Sequence, residues 1–448
     1  MNNQIEQLRS YSLSLRKNEV WREVDFSDFL PQDMTPAQPI DGNLPTLHCN
    51  IPDLDTYRIA LANGYPMADA MQLPEGVRII TMKKALQEMP EVMEKYMGRC
   101  AVGTMTRNFT TLKDKTSHKR LENPYLELNT RNYTDGLVVV IEPNIKVDKP
   151  IQILSVIQGQ MAQLVQTRNL IVVGKHSEAT FILCDDSLDQ STSFSNNATE
   201  VYADEDAKVA LYKMQNLNNQ SALLSQTFVV MQQNSTLRSM AITLNGGQIR
   251  NHTEVRMQGE GCDCQAHGLY LIDKEQQSDN YIYVEHAHPH CNSEELFKGI
   301  LDDSARASFN GHVLVSDGAK KTEAYQTNKN ILLTDKAHID TKPFLEIYND
   351  DVKCSHGSTI GQLDELALFY IRSRGISERT AKTMLLYAFC DEVIQKISLP
   401  ALRDRLMDMV KKRLHGELQI CSDCALHCSS PCNGEDAAKT FMIDTSLL

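Results

Sequence analysis

Cys354 and His356 stand two residues apart in the run Val352, Lys353, Cys354, Ser355, His356, Gly357. Side chains at i and i+2 leave the same face of an extended strand, so a soft thiolate and a borderline imidazole would point together. Such a pair can ligate a metal, serve as nucleophile and base, or pack without doing chemistry. A second array lies in the tail, where Cys421, Cys424, Cys428 and Cys432 surround His427 in a Cys-x2-Cys-x3-Cys-x3-Cys pattern. Four clustered thiols suit zinc or an iron-sulfur cluster, although the spacing is neither the paired zinc layout nor the ferredoxin run.

Two further clusters have weaker claims. His286, His288 and His290 would share a face if their segment were a strand, with Cys291 beside them, but Pro289 argues against a regular strand there. Solvated or stacked histidines are the plainer reading. Cys262 and Cys264 alternate around Asp263 and could bind metal, yet small thiols pointing into a core are the commoner case. Core packing is also expected for the scattered Cys49, Cys100, Cys184 and Cys390.

The elements that must position these residues follow from the texture of the chain. Its 448 residues hold 42% apolar and 23% charged side chains, as a globular protein does. A net charge of -13 argues against binding nucleic acid or an anionic membrane surface. The beginning of the chain shows no signal-peptide core, and apolar runs such as 137–141 are too short to cross a bilayer, so a cytoplasmic location is expected. No phosphate-binding loop, dinucleotide fingerprint or nucleophile elbow appears, so ATP-driven work would come from a partner.

Four regions are expected. Residues 1–103 read as helical, with helices over 55–62 and 83–96 stopped by Gly64 and Gly98, and with Trp21 as an anchor. Residues 104–361 read as short strands, including 136–142, 151–157, 169–173, 180–184, 209–213, 227–231 and 331–334. Small residues recur there at Ala179, Ala207, Ser235 and Cys262, steps of 27 or 28, and Ala305 and Ala337 are 32 apart. A near-constant period in strand-rich sequence marks a solenoid, so a mainly β fold with a β-helix core is favoured over a sandwich. Residues 362–418 read as three helices and 419–448 as a cysteine-rich tail. Helices at both ends would suit a β-helix, whose open ends expose unpaired strand edges.

Many ordered motifs coincide with one family. Cys291-Asn292-Ser293, the run from Asp303 to Gly311, Lys321-Thr322, Gln326-Thr327-Asn328, Asn330 to Leu333, Asp340 to Ile347 and the Cys354/His356 segment resemble the SufB/SufD family of SUF iron-sulfur cluster assembly scaffolds. Weaker similarity reaches back through Lys149-Pro150-Ile151, Asp135-Gly136 and Asn129 to Trp21. Gly357 after His356 favours the SufD branch, since SufB-like chains tend to carry glutamate there.

The resemblance implies a right-handed parallel β-helix between helical regions and a scaffold rather than an enzyme. It implies pairing with a SufB-like subunit through the β-helix and docking of a SufC-like ATPase on the C-terminal helices. It also implies transient iron or an iron-sulfur cluster as cargo, received where His356 and Cys354 meet the partner. A homodimer could stand in when the partner is absent. The four-cysteine tail departs from the SufD pattern, so its metal role rests on Cys421, Cys424, Cys428 and Cys432 alone. Two other readings stay open: a β-helix enzyme acting on polysaccharide, although no spaced carboxylate pair stands out, and a Cys-His hydrolase built on Cys354 and His356.

Overall fold

The computed structural model describes residues 3–15, 18–40, 51, 53–67, 72–101 and 123–415. From Leu137–Ile141 onward the chain winds as a β-solenoid, sending successive strands alternately to two ten-stranded sheets. Each strand pairs in parallel with the strand two further on: Lys208–Asn216 lies between Glu178–Ser187 and Thr236–Asn245. Alternation along the strands then sorts the side chains. Val209 and Leu211 from one sheet and Val229 and Met231 from the other point inward and close a common core. Ala210, Tyr212 and Met214 point outward, under the C-terminal helices.

The corner that returns the chain from one sheet to the other has a fixed recipe. A residue with positive φ is followed by a small buried one: His176 then Ser177, Asp206 then Ala207, Asn234 then Ser235, Gly261 then Cys262, His290 then Cys291, Lys321 then Thr322. The left-handed residue makes the sharp turn, and only a small side chain fits inside it. This sharpens the period. Ala207 stacks over Ser177, whose carbonyl accepts from the Lys208 N–H, while Ala179 is in register with Val209 and is no corner at all. Ala305 and Ala337 belong to the opposite corner, where the His338 N–H donates to the Ala305 carbonyl.

All the expected strands fall within observed ones, except that 136–142 overruns Leu137–Ile141 by one residue at each end and 331–334 overruns the end of Thr322–Leu332. The N-terminal region needs correcting. Residues 55–62 do not form a helix: Tyr57–Ala62 is a strand paired in parallel with Ile151–Ile157. Ile59 and Leu61 reach the solenoid core while Ala60 packs on its outer surface, so the sheet edge outweighs a weak local helical pattern. The helix expected over 83–96 is two, Met82–Glu88 and Pro90–Tyr96, because Pro90 holds Met89 out of the helical region. A further helix, Pro124–Asn132, falls inside the stretch expected to be strands alone.

Trp21 does anchor its region, against the solenoid wall. It is 1% exposed, stacks on His252 at 5.3 Å and 7°, and has the Arg250 guanidinium 4.3 Å from its ring centre. At the other end, helices Glu365–Arg372, Glu378–Ile394 and Pro400–His415 appear as expected, with Ser377 capping the second. They do not cover the end of the solenoid. Leu386, Cys390, Val393, Leu402, Leu406 and Val410 pack on the outer face of one sheet, and among the described residues no strand pairs with the outer edge of the last coil.

Candidate functional site on the terminal coil

Cys354 and His356 lie on Val352–Gly361, the last strand of its sheet, paired on one side only among the described residues. In-register partners in a parallel pair point the same way, and here Cys354 aligns with Ala324 and His356 with Gln326. Ala324 and Gln326 are both buried inside the solenoid, so the thiol and the imidazole face its lumen at the open mouth. Cys354 is half-buried against Val313, Val315, Ala319 and Leu345, whereas His356 is exposed. On the opposite, outward face of the strand a Cβ added at Gly357 or Gly361 would meet nothing within 4 Å among the described residues.

Burial pushes the Cys354 thiol above its ordinary pKa, against a smaller lowering by the backbone of Ala324. A nucleophilic cysteine needs the opposite shift, and no hydrogen bond joins Cys354 to His356 among the described residues. A soft metal ion reverses such a penalty by binding the thiolate directly. The pair is therefore better suited to ligation than to acyl transfer. Two ligands leave coordination positions open, and among the described residues no cluster of three or more His, Cys, Asp or Glu could hold a metal.

The other sequence candidates separate. His286 ends strand Gln277–His286 fully buried, its Nε2 2.9 Å from Ser293 Oγ and its pKa pushed down to about 4 by burial. His288 and His290 are exposed, and His290 is the corner residue with φ of 59°. The three histidines do not share a strand face, because the strand stops before the turn, as Pro289 argued. Cys262 and Cys264 are core residues, and Cys262 stacks with Cys291 at neighbouring corners, both sulfurs within 3.3 Å of the Gly259 carbonyl oxygen. Cys100, Cys184 and Cys390 are buried, as expected. Cys49 and the tail cysteines Cys421, Cys424, Cys428 and Cys432 lie outside the described residues.

Sequence reasoning missed the polar residues behind the mouth. Glu295 on strand Asn292–Leu301 is in register with Gln326, and Gln326 Nε2 donates to Glu295 Oε2 at 2.6 Å. Both motifs were visible, but their alignment depends on the lengths of the corners between them.

Exposed apolar groups mark the surroundings. Phe344, Ile347 and Ile360 on the two terminal strands are 53%, 41% and 48% exposed. Leu366, Phe369 and Tyr370 on helix Glu365–Arg372 are 80%, 72% and 59% exposed. The next helix is tied to the solenoid: Lys298, 2% exposed, donates to the Phe389 carbonyl at 2.8 Å and pairs with Glu392. Lys396 pairs with Glu294 at 2.7 Å.

Fold and site together define a β-solenoid whose chemistry-bearing residues stand on an open strand edge beside an apolar helix. The chain belongs to the SufBD family: the SUF system FeS cluster assembly SufBD core domain matches residues 155–389, and the SufBD protein N-terminal region matches residues 2–153. It is 29% identical over 419 residues to an iron-sulfur cluster assembly SufBD family protein of Synechocystis sp., covering 91% of this chain and 88% of that protein. It is 32% identical over 271 residues to the iron-sulfur cluster assembly protein SufD of Escherichia coli, covering 60% of this chain and 64% of that one. With the SufD of Bacillus subtilis it shares 23% identity over 343 residues, 76% of this chain and 74% of the relative. No helix among the described residues is long and apolar enough to cross a membrane.

Proposed function

We propose that this chain is a non-catalytic, cytoplasmic SufD-type scaffold in iron-sulfur cluster assembly. In this reading its terminal coil pairs with a SufB-like subunit, and Cys354 and His356 help receive iron or a nascent cluster at that junction. The observation that carries the reading is the position of this pair on a lumen-facing strand at the mouth of the solenoid, whose outer edge has no strand partner among the described residues. A long exposed strand edge with apolar side chains is a template for pairing with another chain. A thiol and an imidazole that supply only part of a coordination shell suit a site completed by a partner.

The helical region, 362–418, would dock a SufC-like ATPase, supported by the exposed face of Leu366, Phe369 and Tyr370. Motion of that region would reach the solenoid through Lys298–Glu392 and Lys396–Glu294 on strand Asn292–Leu301. The 419–448 tail, with Cys421, Cys424, Cys428 and Cys432, would be an additional metal-binding segment.

The test is co-expression with SufB-like and SufC-like partners, anaerobic purification, and measurement of bound iron and sulfide. Cys354→Ala and His356→Ala should each lower cluster content without dissolving the complex, and a tail truncation isolates the tail. Unchanged iron and sulfide in both point variants would remove the site assignment, and failure to co-purify with an ATPase would remove the scaffold reading.

A further inference from the structure

Three residues stand in line through the last coils. Glu295 is the in-register partner of Gln326, and Gln326 is the in-register partner of His356, so the side chains stack one above another on the lumen wall. Glu295 is 1% and Gln326 2% exposed. Packing does not require an amide here. Gly311, across the lumen, leaves it room: a Cβ at that position would fall 2.3 Å from Gln326 Nε2.

The hydrogen bonding of this file is incomplete at two oxygens, Glu295 Oε1 and Gln326 Oε1, of which the second bears on His356. Gln326 Nε2 is committed to Glu295, which turns Gln326 Oε1 away from it. That oxygen is buried and has no partner among the described residues, and leaving a buried acceptor unpaired is costly. The next group along the line is the His356 ring, whose neutral form carries one N–H donor and one acceptor nitrogen. Burial raises the Glu295 carboxyl to about 8, so at neutral pH the file holds no uncompensated buried charge.

We propose that Gln326 Oε1 accepts a ring N–H from His356, with Glu295 anchoring the amide, so that one imidazole tautomer is held and its other nitrogen faces the mouth with a free lone pair. Gln326 and Glu295 are positioning residues, since they act through the histidine and touch no cargo. The proposal rests on the reading of His356 as an iron-receiving ligand. A ligating histidine whose second ring nitrogen is held by a neighbour is oriented and made more basic toward metal.

The experiment uses the full chain with 15N-labelled histidine and long-range 1H–15N correlation above the ring titration, assigning His356 by its loss in His356→Asn. One tautomer is expected in the wild type and in Glu295→Gln, which keeps an acceptor oxygen. A mixture like that of free imidazole is expected in Gln326→Met, which keeps the length and loses the acceptor. A mixture in the wild type, or a single tautomer that persists in Gln326→Met, overturns the proposal. These signals need neither iron nor partner, so they fail separately from the scaffold reading. In the co-expressed complex, iron affinity should fall about tenfold in Gln326→Met and stay near wild type in Glu295→Gln; equal affinity in all three also overturns it.

Discussion

The two ends of the solenoid meet the same physical problem and treat it differently. At the N-terminal end each sheet finishes on an antiparallel strand, Tyr65–Pro66 in one and Val77–Thr81 in the other, the first only two residues long and ending in proline. Short edges and proline blunt a sheet against unwanted pairing. At the C-terminal end both sheets finish on ten-residue parallel strands, His338–Ile347 and Val352–Gly361, with most of the latter exposed. Two buried carboxyls also differ. Glu200 accepts from the N–H groups of Gly98, Cys100 and Ala101 and pairs with Arg168, whereas Glu295 near the open end has a single amide partner and no cation among the described residues. Among the described residues one end is finished within the chain, and the other stops on an open strand edge.

If the N-terminal region is held by packing on the solenoid wall, its anchor should cost the most to remove. Trp21→Ala deletes a buried ring stacked on His252 and covered by Arg250, and should lower unfolding stability by about 3 to 5 kcal/mol in chemical denaturation. Iron bound per folded molecule should not change. A loss of iron as large as that in His356→Ala would blur the distinction between the packed wall and the open end.

A smaller effect should come from the buried carboxyl near the open end. An unfolded glutamate titrates near 4.3, and Glu295 in the fold is raised to about 8 by burial. Between those values the native state holds a proton that the unfolded chain has released, so stability is greatest at low pH and falls as pH rises toward 8. Asp185 and Asp186, raised by burial to about 6 and about 7, act in the same direction, so the informative quantity is the difference between chains. The nearby Cys264 thiol, pushed well up by burial first and by Glu295 second, stays protonated throughout. Glu295→Gln should flatten the pH 5 to 8 slope by an amount on the order of 3 kcal/mol. An unchanged slope would mean that this carboxyl is hydrated in solution.

These contrasts explain what the sequence could and could not disclose. Strand texture and a period of small residues come from short-range rules, since a left-handed corner needs a compact residue inside it, so the solenoid was legible. Cys354 and His356 were legible as a pair because i and i+2 share a face in any strand. The strand Tyr57–Ala62 was misread because its conformation is decided by Ile151–Ile157, far along the chain. Glu295 and Gln326 were unreadable as parts of the site for a similar reason: one extra corner residue would shift the register and turn a different side chain toward His356. The helices were found but misplaced, because amphipathic spacing says that a face is buried and not what buries it.

The smallest stability effect should belong to the most decisive substitution. Phe344 is 53% exposed on a terminal strand, its main packing an edge contact with His312 at 4.9 Å. Changing it to aspartate removes little burial and leaves the parallel ladder with Arg306–Val315 on its other side intact, so unfolding stability should move by no more than about 0.5 kcal/mol. A charge on an edge is nonetheless what prevents strand pairing, because a second chain would have to bury it. Phe344→Asp should therefore fold like the wild type and fail to co-purify with a SufB-like subunit, while the equally conservative Leu86→Asp, at an exposed helical site near the closed end, should co-purify normally. Retained association in Phe344→Asp would show that the open edge is not where assembly occurs, and the two ends would differ in form but not in use.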